Sequence, residues 1–204
     1  MALFYQVDGI GLCRTEHMFT DSKRINLVRQ MILTNSDKER GSIIERLLPI
    51  QKEDFIDLFK EMSNLPVTIR LLDPPLHEFL PNSQQEIQRT ANLMAMTEQQ
   101  LAERIKDLSE FNPMLGTRGV RLGVMVPEIY DMQVQAIFLA AIEVFREYKV
   151  VVNPEIMIPL ISANKEVDLV RERIAKGFLQ LNKNNFPDLK YKLGVMVETP
   201  RAAL

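Results

Sequence analysis

The sequence predicts an α/β fold, on two observations. Strand-like and helix-like segments alternate along the chain instead of falling into separate blocks. The composition is that of an ordinary globular protein, with 46% hydrophobic and 25% charged residues in 204, enough chain for one domain with a real core. No internal repeat, low-complexity tract or long Gly/Ser linker interrupts it.

The elements follow in order. The first strand is expected from Gln6 to Arg14, with Val7, Ile10 and Leu12 as its apolar members. Residues 22–33 set Ile25, Val28 and Ile32 on one helical face. Ser36-x-x-Glu39 is a capping-box pattern that opens a helix carrying Ile43, Ile44, Leu47 and Leu48 and ending at Pro49. A further helix runs through Phe55, Leu58, Phe59 and Met62. Pro66 to Leu72 reads as a second strand, closed by Pro74-Pro75. The polar stretch 83–110 holds two more capping boxes, Ser83-x-x-Glu86 and Thr97-x-x-Gln100. The interval from Leu72 to Val120 exceeds what one crossover helix needs, so much of 83–110 is expected to be a helical insertion. Val120 to Val124 reads as a third strand, and Pro127 starts a helix to about Tyr148. Glu155 to Leu160 is the fourth strand, followed by a helix with Val167, Val170, Ile174, Phe178 and Leu181 on one stripe. Lys192 to Glu198 is the fifth, and Pro200 to Leu204 reads as a first helical turn.

Such alternation builds either an open doubly wound sheet or a TIM barrel. Gly9-x-Gly11 has Arg14 where a dinucleotide fingerprint needs its third glycine. About five strands fall short of eight, so the barrel alternative is an incomplete (β/α)8 barrel. Its fifth strand would then have a free edge, and the apolar run Leu193 to Val197 would promote self-association into a homo-oligomer.

Composition also excludes function classes. A net charge of -2 and a pI of about 5.8 argue against a general nucleic-acid binder. No apolar run approaches the ~20 residues that cross a bilayer, and Met1 to Gln6 has no signal-peptide form. The single cysteine, Cys13, allows no internal disulfide and fits a reducing compartment, hence a cytoplasmic location.

Several polar residues stand where strands are expected to end: Arg14, Arg70 with Asp73 just beyond it, Arg118 and Glu198. In a barrel such ends converge on one mouth, where guanidiniums would clamp a carboxylate or phosphate. Glu198, and Asp73 with it, would offer hard oxygen ligands to Mg²⁺. Each has a plainer reading: a surface ion pair for the arginines and Glu198, a turn former for Asp73. His17 and His77 have no nucleophile or metal-ligand pattern beside them and read as hydrogen-bonded structural imidazoles. Cys13 reads as a small buried hydrophobe and the eleven methionines as core filler.

Gly9-Ile-Gly-Leu-Cys-Arg-Thr-Glu-His-Met-Phe19 resembles the first strand motif of phosphoenolpyruvate-utilising enzymes, in the form typical of the pyruvate, phosphate dikinase family. Ile69-Arg-Leu-Leu-Asp-Pro-Pro-Leu-His-Glu-Phe-Leu-Pro81 is similar to that family's second motif. The related phosphoenolpyruvate synthases and enzyme I of the sugar phosphotransferase system lack its Pro-Pro-Leu-His-Glu-Phe continuation. Asn112 to Gly123, Pro127 to Tyr130, Pro154 to Leu160 and Gly194 to Leu204 resemble the succeeding blocks, so the likeness covers nearly the whole chain.

The resemblance implies a partial TIM-barrel domain over 1–204 that binds phosphoenolpyruvate or pyruvate. The parent phosphotransferase interconverts ATP, phosphate and pyruvate with AMP, diphosphate and phosphoenolpyruvate through a phosphohistidine carried by another domain. Carried over by motif, Arg14 and Arg70 grip phosphoryl and carboxylate oxygens, and Arg118 is a further anion contact. Glu198 ligates Mg²⁺, and Asp73 partners an arginine. Thr117 departs from a His often found in that motif. The family's later blocks, with an Asn-Asp pair and a proton-donating Cys, are expected beyond Leu204, so this piece alone is expected to be inactive. A truncated, non-catalytic homologue that only binds phosphoenolpyruvate is the remaining alternative.

Overall fold

The computed structural model describes residues 6–21, 24–109, 112–182 and 189–204. Met1 to Tyr5, Ser22 and Lys23 at the expected start of the first helix, and Glu110 at the end of the polar stretch lie outside them. The fold is α/β. Its sheet has four parallel strands: β1 (Ile10–Arg14), β2 (Val67–Arg70), β3 (Glu155–Ile158) and β4 (Lys192–Val195). Their spatial order is β1-β2-β3-β4, the order of the chain, so the described sheet is wound in one direction with no switch point. At the start of β1, Gly9 lies against Pro66, and a Cβ there would come within 2.7 Å of the Pro66 ring and carbonyl.

Helices cover the sheet. Arg24–Leu33 is α1, Asp37–Glu61 is α2 and Pro127–Tyr148 is α6, which packs along α2. Gly119–Met125 is α5 and Asn164–Leu181 is α7, and both lie against α6. Phe55 and Phe59 of α2 and Ile137 and Phe138 of α6 belong to one core that includes Ile69 and Ile156 of the sheet. Two polar helices, α3 (Gln84–Leu93) and α4 (Glu98–Leu108), pack on each other. They also touch α1 and a 3-10 turn at Leu76–Phe79. A last short helix, α8, spans Pro200–Ala203. No helix among the described residues is long and apolar enough to cross a membrane.

The structure corrects two sequence expectations. Pro49 does not end a helix: it sits inside α2, which runs on to Glu61. An internal proline costs roughly 3 kcal/mol. That cost is offset because Ile43 and Leu47 before it and Phe55 and Phe59 after it are all buried. The expected third strand, Val120 to Val124, is part of α5. Short apolar runs do not distinguish strand from helix by periodicity. Here β2 pairs directly with β3, which leaves no place for a strand between them. The start of α5 instead lies across their ends: Gly119 N–H donates to Asp73 O at 2.9 Å and Val120 N–H to Pro159 O at 3.1 Å. The described sheet therefore has four strands where the sequence reading has about five.

Candidate active site at the strand ends

Arg14 is the last residue of β1 and Arg70 the last of β2, and the parallel register sets them directly opposite each other. Arg14 is exposed and has no ion-pair partner among the described residues. Arg70 is buried and held from two sides: Nη2 donates to Glu16 Oε1 at 2.5 Å and Nη1 lies 3.1 Å from Asp73 Oδ2. The same Asp73 oxygen accepts from Arg118 Nη2 at 2.5 Å. Glu16, Arg70, Asp73 and Arg118 thus form one chain of alternating charge. Burying such a chain is tolerable only because each charge faces an opposite one.

Backbone contacts fix this chain in place. Thr15 and Glu16 open a 3-10 turn, Thr15–Phe19, directly after β1, and Thr15 Oγ1 donates to the Arg70 carbonyl at 3.0 Å. Leu72, just before Asp73, is held at both backbone groups by α6. Its N–H donates to Gln133 Oε1 at 2.8 Å, and its carbonyl accepts from the Tyr130 hydroxyl at 3.0 Å. Burial pushes the Tyr130 phenol well above its ordinary pKa, with the Asp73 carboxylate adding to the rise, so the hydroxyl stays a donor. Two glycines make the approach possible. Gly119 has φ +54°, and a Cβ there would lie 2.6 Å from Leu160 Cβ; a Cβ on Gly123 would lie 2.4 Å from the Tyr130 ring.

Glu198 follows β4 by three residues. Its Oε1 accepts the Leu160 N–H at 2.7 Å, just past the end of β3, where Leu160 itself adopts φ +55°. Thr199 Oγ1 donates to Ile161 O at 2.9 Å, so the exits of β3 and β4 are tied together. Among the described residues no group of three His, Cys, Asp or Glu could hold a metal. Glu198 is exposed, and Oε1 is the carboxylate oxygen its backbone contact uses. A lone exposed carboxylate of this kind is a hard oxygen group compatible with one ligand position on Mg²⁺.

Four buried polar atoms in this region have no hydrogen-bond partner among the described residues: Glu16 Oε2, Arg70 Nε, Asp73 Oδ1 and Arg118 Nε. Buried polar groups are normally paired, and these four gather along the Glu16–Arg70–Asp73–Arg118 chain. Beside it lies a cavity of about 630 Å³ whose wall includes Arg14, Glu16, His17, Phe79 and Arg89.

His17 is exposed and His77 half-buried, and each uses its backbone carbonyl as an acceptor, for Thr20 Oγ1 and for the Leu80 N–H. Cys13 is half-buried, less enclosed than its sequence reading as a buried hydrophobe, and burial with the nearby Glu16 charge pushes its thiol up to about 11. Sequence reasoning did not single out Thr15, Glu16, Tyr130 or Gln133. Thr15 and Glu16 directly follow Arg14 inside the Gly9–Phe19 motif, so their signal was adjacency to a candidate. Gln133 had none, because a buried glutamine on a helix reads as solvent-facing.

The family model for the PEP-utilising enzyme, PEP-binding domain matches residues 1–204. The chain is similar to proteins named pyruvate, phosphate dikinase. It is 46% identical to that of Rhizobium meliloti (strain 1021) over 200 residues, 98% of this chain and 22% of that protein. With that of Clostridium symbiosum it shares 45% over 197 residues, 97% of this chain and 22% of that protein. With that of Giardia intestinalis it shares 46% over 200 residues, 98% of this chain and 22% of that protein. The chain spans about a fifth of the length of these curated relatives. A family match over every residue, with relatives of this identity, shows that the chain belongs to the PEP-utilising enzyme family, in the part that corresponds to its PEP-binding domain.

Proposed function

We propose that this chain is the phosphoenolpyruvate/pyruvate-binding part of a pyruvate, phosphate dikinase, with its four strands belonging to a TIM (β/α)8 barrel. The observation that carries the proposal is the register that sets Arg14 opposite Arg70, with Arg118 linked to Arg70 through Asp73. Parallel strands in chain order are the winding of a barrel and not of a doubly wound sheet, which supports the architecture. The relatives' names favour a dikinase over a phosphoenolpyruvate synthase or an enzyme I.

The parent reaction interconverts ATP, phosphate and pyruvate with AMP, diphosphate and phosphoenolpyruvate. In this scheme the strand ends hold pyruvate, whose enolate oxygen accepts the phosphoryl group as the P–N bond of a phosphohistidine on another domain breaks. Phosphoryl transfer is mostly positioning and charge neutralisation. Arg14, exposed and uncompensated, supplies positive charge to the incoming anion. Arg70 and Arg118 direct N–H donors at phosphoryl and carboxylate oxygens, and Asp73 fixes those two guanidiniums relative to each other. Bound Mg²⁺, held on this chain by Glu198, would stabilise negative charge on the enolate oxygen as a Lewis acid. The protein works in the cytoplasm, where its single thiol stays reduced.

Titration of the purified chain with phosphoenolpyruvate and Mg²⁺ by calorimetry tests this. Saturable binding is expected, weakened at least about tenfold by Arg14→Gln. Absence of binding, or an affinity indifferent to Arg14→Gln, would sink the proposal.

A further inference from the structure

We propose that Glu16 is a positioning residue for Arg70, setting the direction in which that guanidinium presents its donors to a bound anion. The inference rests on the phosphoenolpyruvate-binding reading of the strand ends. Glu16 Oε1 holds Arg70 Nη2 at 2.5 Å, and Asp73 Oδ2 holds Nη1 at 3.1 Å. A guanidinium is a rigid plane, so restraining both terminal nitrogens fixes the orientation of the whole group. The three side chains are 16%, 3% and 8% exposed for Glu16, Asp73 and Arg70, so water competes little for these bonds. Thr15 meanwhile holds the Arg70 carbonyl. The two residues after Arg14 therefore grip the end of the neighbouring strand by backbone and by side chain. The first strand contributes one arginine to the mouth and aims the second.

Charge compensation is the competing role. Glu16 and Asp73 face Arg70 and Arg118, two carboxylates against two guanidiniums, so the group carries no net charge. If Glu16 served only to neutralise, removing its charge would leave the mouth one unit more positive and anion binding would tighten. If Glu16 aims Arg70, the same change weakens binding, because the guanidinium swings toward its one remaining partner, Asp73. The two roles predict opposite signs. Gln at this position keeps an oxygen acceptor at the same reach, whereas Ala keeps none.

The experiment uses the 204-residue chain, its Glu16→Gln and Glu16→Ala variants, and phosphoenolpyruvate with Mg²⁺ as the probe. Weakening of about tenfold is expected for Glu16→Ala, the scale of one lost charge-assisted hydrogen bond, with Glu16→Gln intermediate. Equal or tighter binding by either variant overturns the proposal. A second measurement needs no ligand: ¹⁵N spectra of the arginine side chains. Slow rotation about the Arg70 Cζ–Nη2 bond is expected in the unsubstituted chain and fast rotation in Glu16→Ala. Unchanged rotation overturns the proposal. Should the unsubstituted chain bind no phosphoenolpyruvate, the binding reading falls while the spectra still decide the role of Glu16. If Glu16→Ala does not fold, the isosteric Glu16→Gln carries both measurements.

Discussion

Cys13 shows how one residue's environment sets its chemistry. It is the penultimate residue of β1, next to Arg14, yet its thiol is pushed up from 9.0 to about 11, first by burial and then by the Glu16 charge. Both causes disfavour the thiolate. The neutral thiol therefore adds stability that is fully present below pH 9.0 and is lost as pH rises through about 11. Only the thiolate alkylates, so at pH 8 the native chain should react with iodoacetamide about a hundredfold more slowly than the urea-unfolded chain. Its rate should climb toward pH 11. Equal native and unfolded rates at pH 8 would refute this. The same scale shows where sequence reasoning stops. Arg14 and Arg70 were legible because each ends an apolar run. The bond from Arg70 to Glu16 joins residues 54 apart, and no local pattern reports it.

Among the elements, α4 tests how far a local pattern dictates local structure. Thr97 Oγ1 accepts the Gln100 N–H at 3.1 Å, and the Thr97 N–H donates to Gln100 Oε1 at 3.0 Å, the reciprocal pair its sequence pattern predicts. At Ser36 and Ser83 the serine accepts the expected N–H, but the glutamates are used elsewhere. Glu39 takes the Thr34 hydroxyl, and Glu86 takes Arg29, which holds its carboxyl below the ordinary range. Thr97→Ala should cost about 1 kcal/mol, a fall of about 2–4 °C in melting temperature for a chain of this size. Phosphoenolpyruvate affinity should not change, because α4 packs on α3 and the Leu76–Phe79 turn and contributes nothing to the arginine cluster. Melting unchanged by the substitution would contradict the cap's contribution. Opposite outcomes at Pro49 and Pro127 show the limit of local rules. Pro127 starts α6 as expected, at a position where its missing N–H costs nothing. Pro49 sits inside α2, where packing against α6 overrides the local penalty.

At the scale of the molecule, the described sheet has two edge strands, β1 and β4. Among the described residues β4 pairs only with β3, and Leu193 and Val195 are half-buried, whereas Ile69, Ile156 and Ile158 of the inner strands are fully buried. Val197 just beyond is 57% exposed. A free strand edge next to such surface is a template for pairing with another copy. The chain should therefore self-associate as concentration rises, as read by light scattering or sedimentation. A single monodisperse monomer at high concentration would count against it.

Local pattern was enough for the α/β class, helices α1, α3, α4, α6 and α7, strands β1 to β4 to within four residues at their ends, and the arginines that end β1 and β2. Periodicity, capping residues and proline placement are local, and these elements follow from them. Contacts across the fold were needed to show that Val120 to Val124 is helical, that α2 continues through Pro49, that Glu16 pairs with Arg70, and that Tyr130 and Gln133 hold the Leu72 backbone beside Asp73. Each depends on what lies across the fold: the direct pairing of β2 with β3, the burial of α2 against α6, and hydrogen bonds between groups tens of residues apart. Such contacts gain their energy from excluding water between distant segments, and no stretch of sequence carries that term alone.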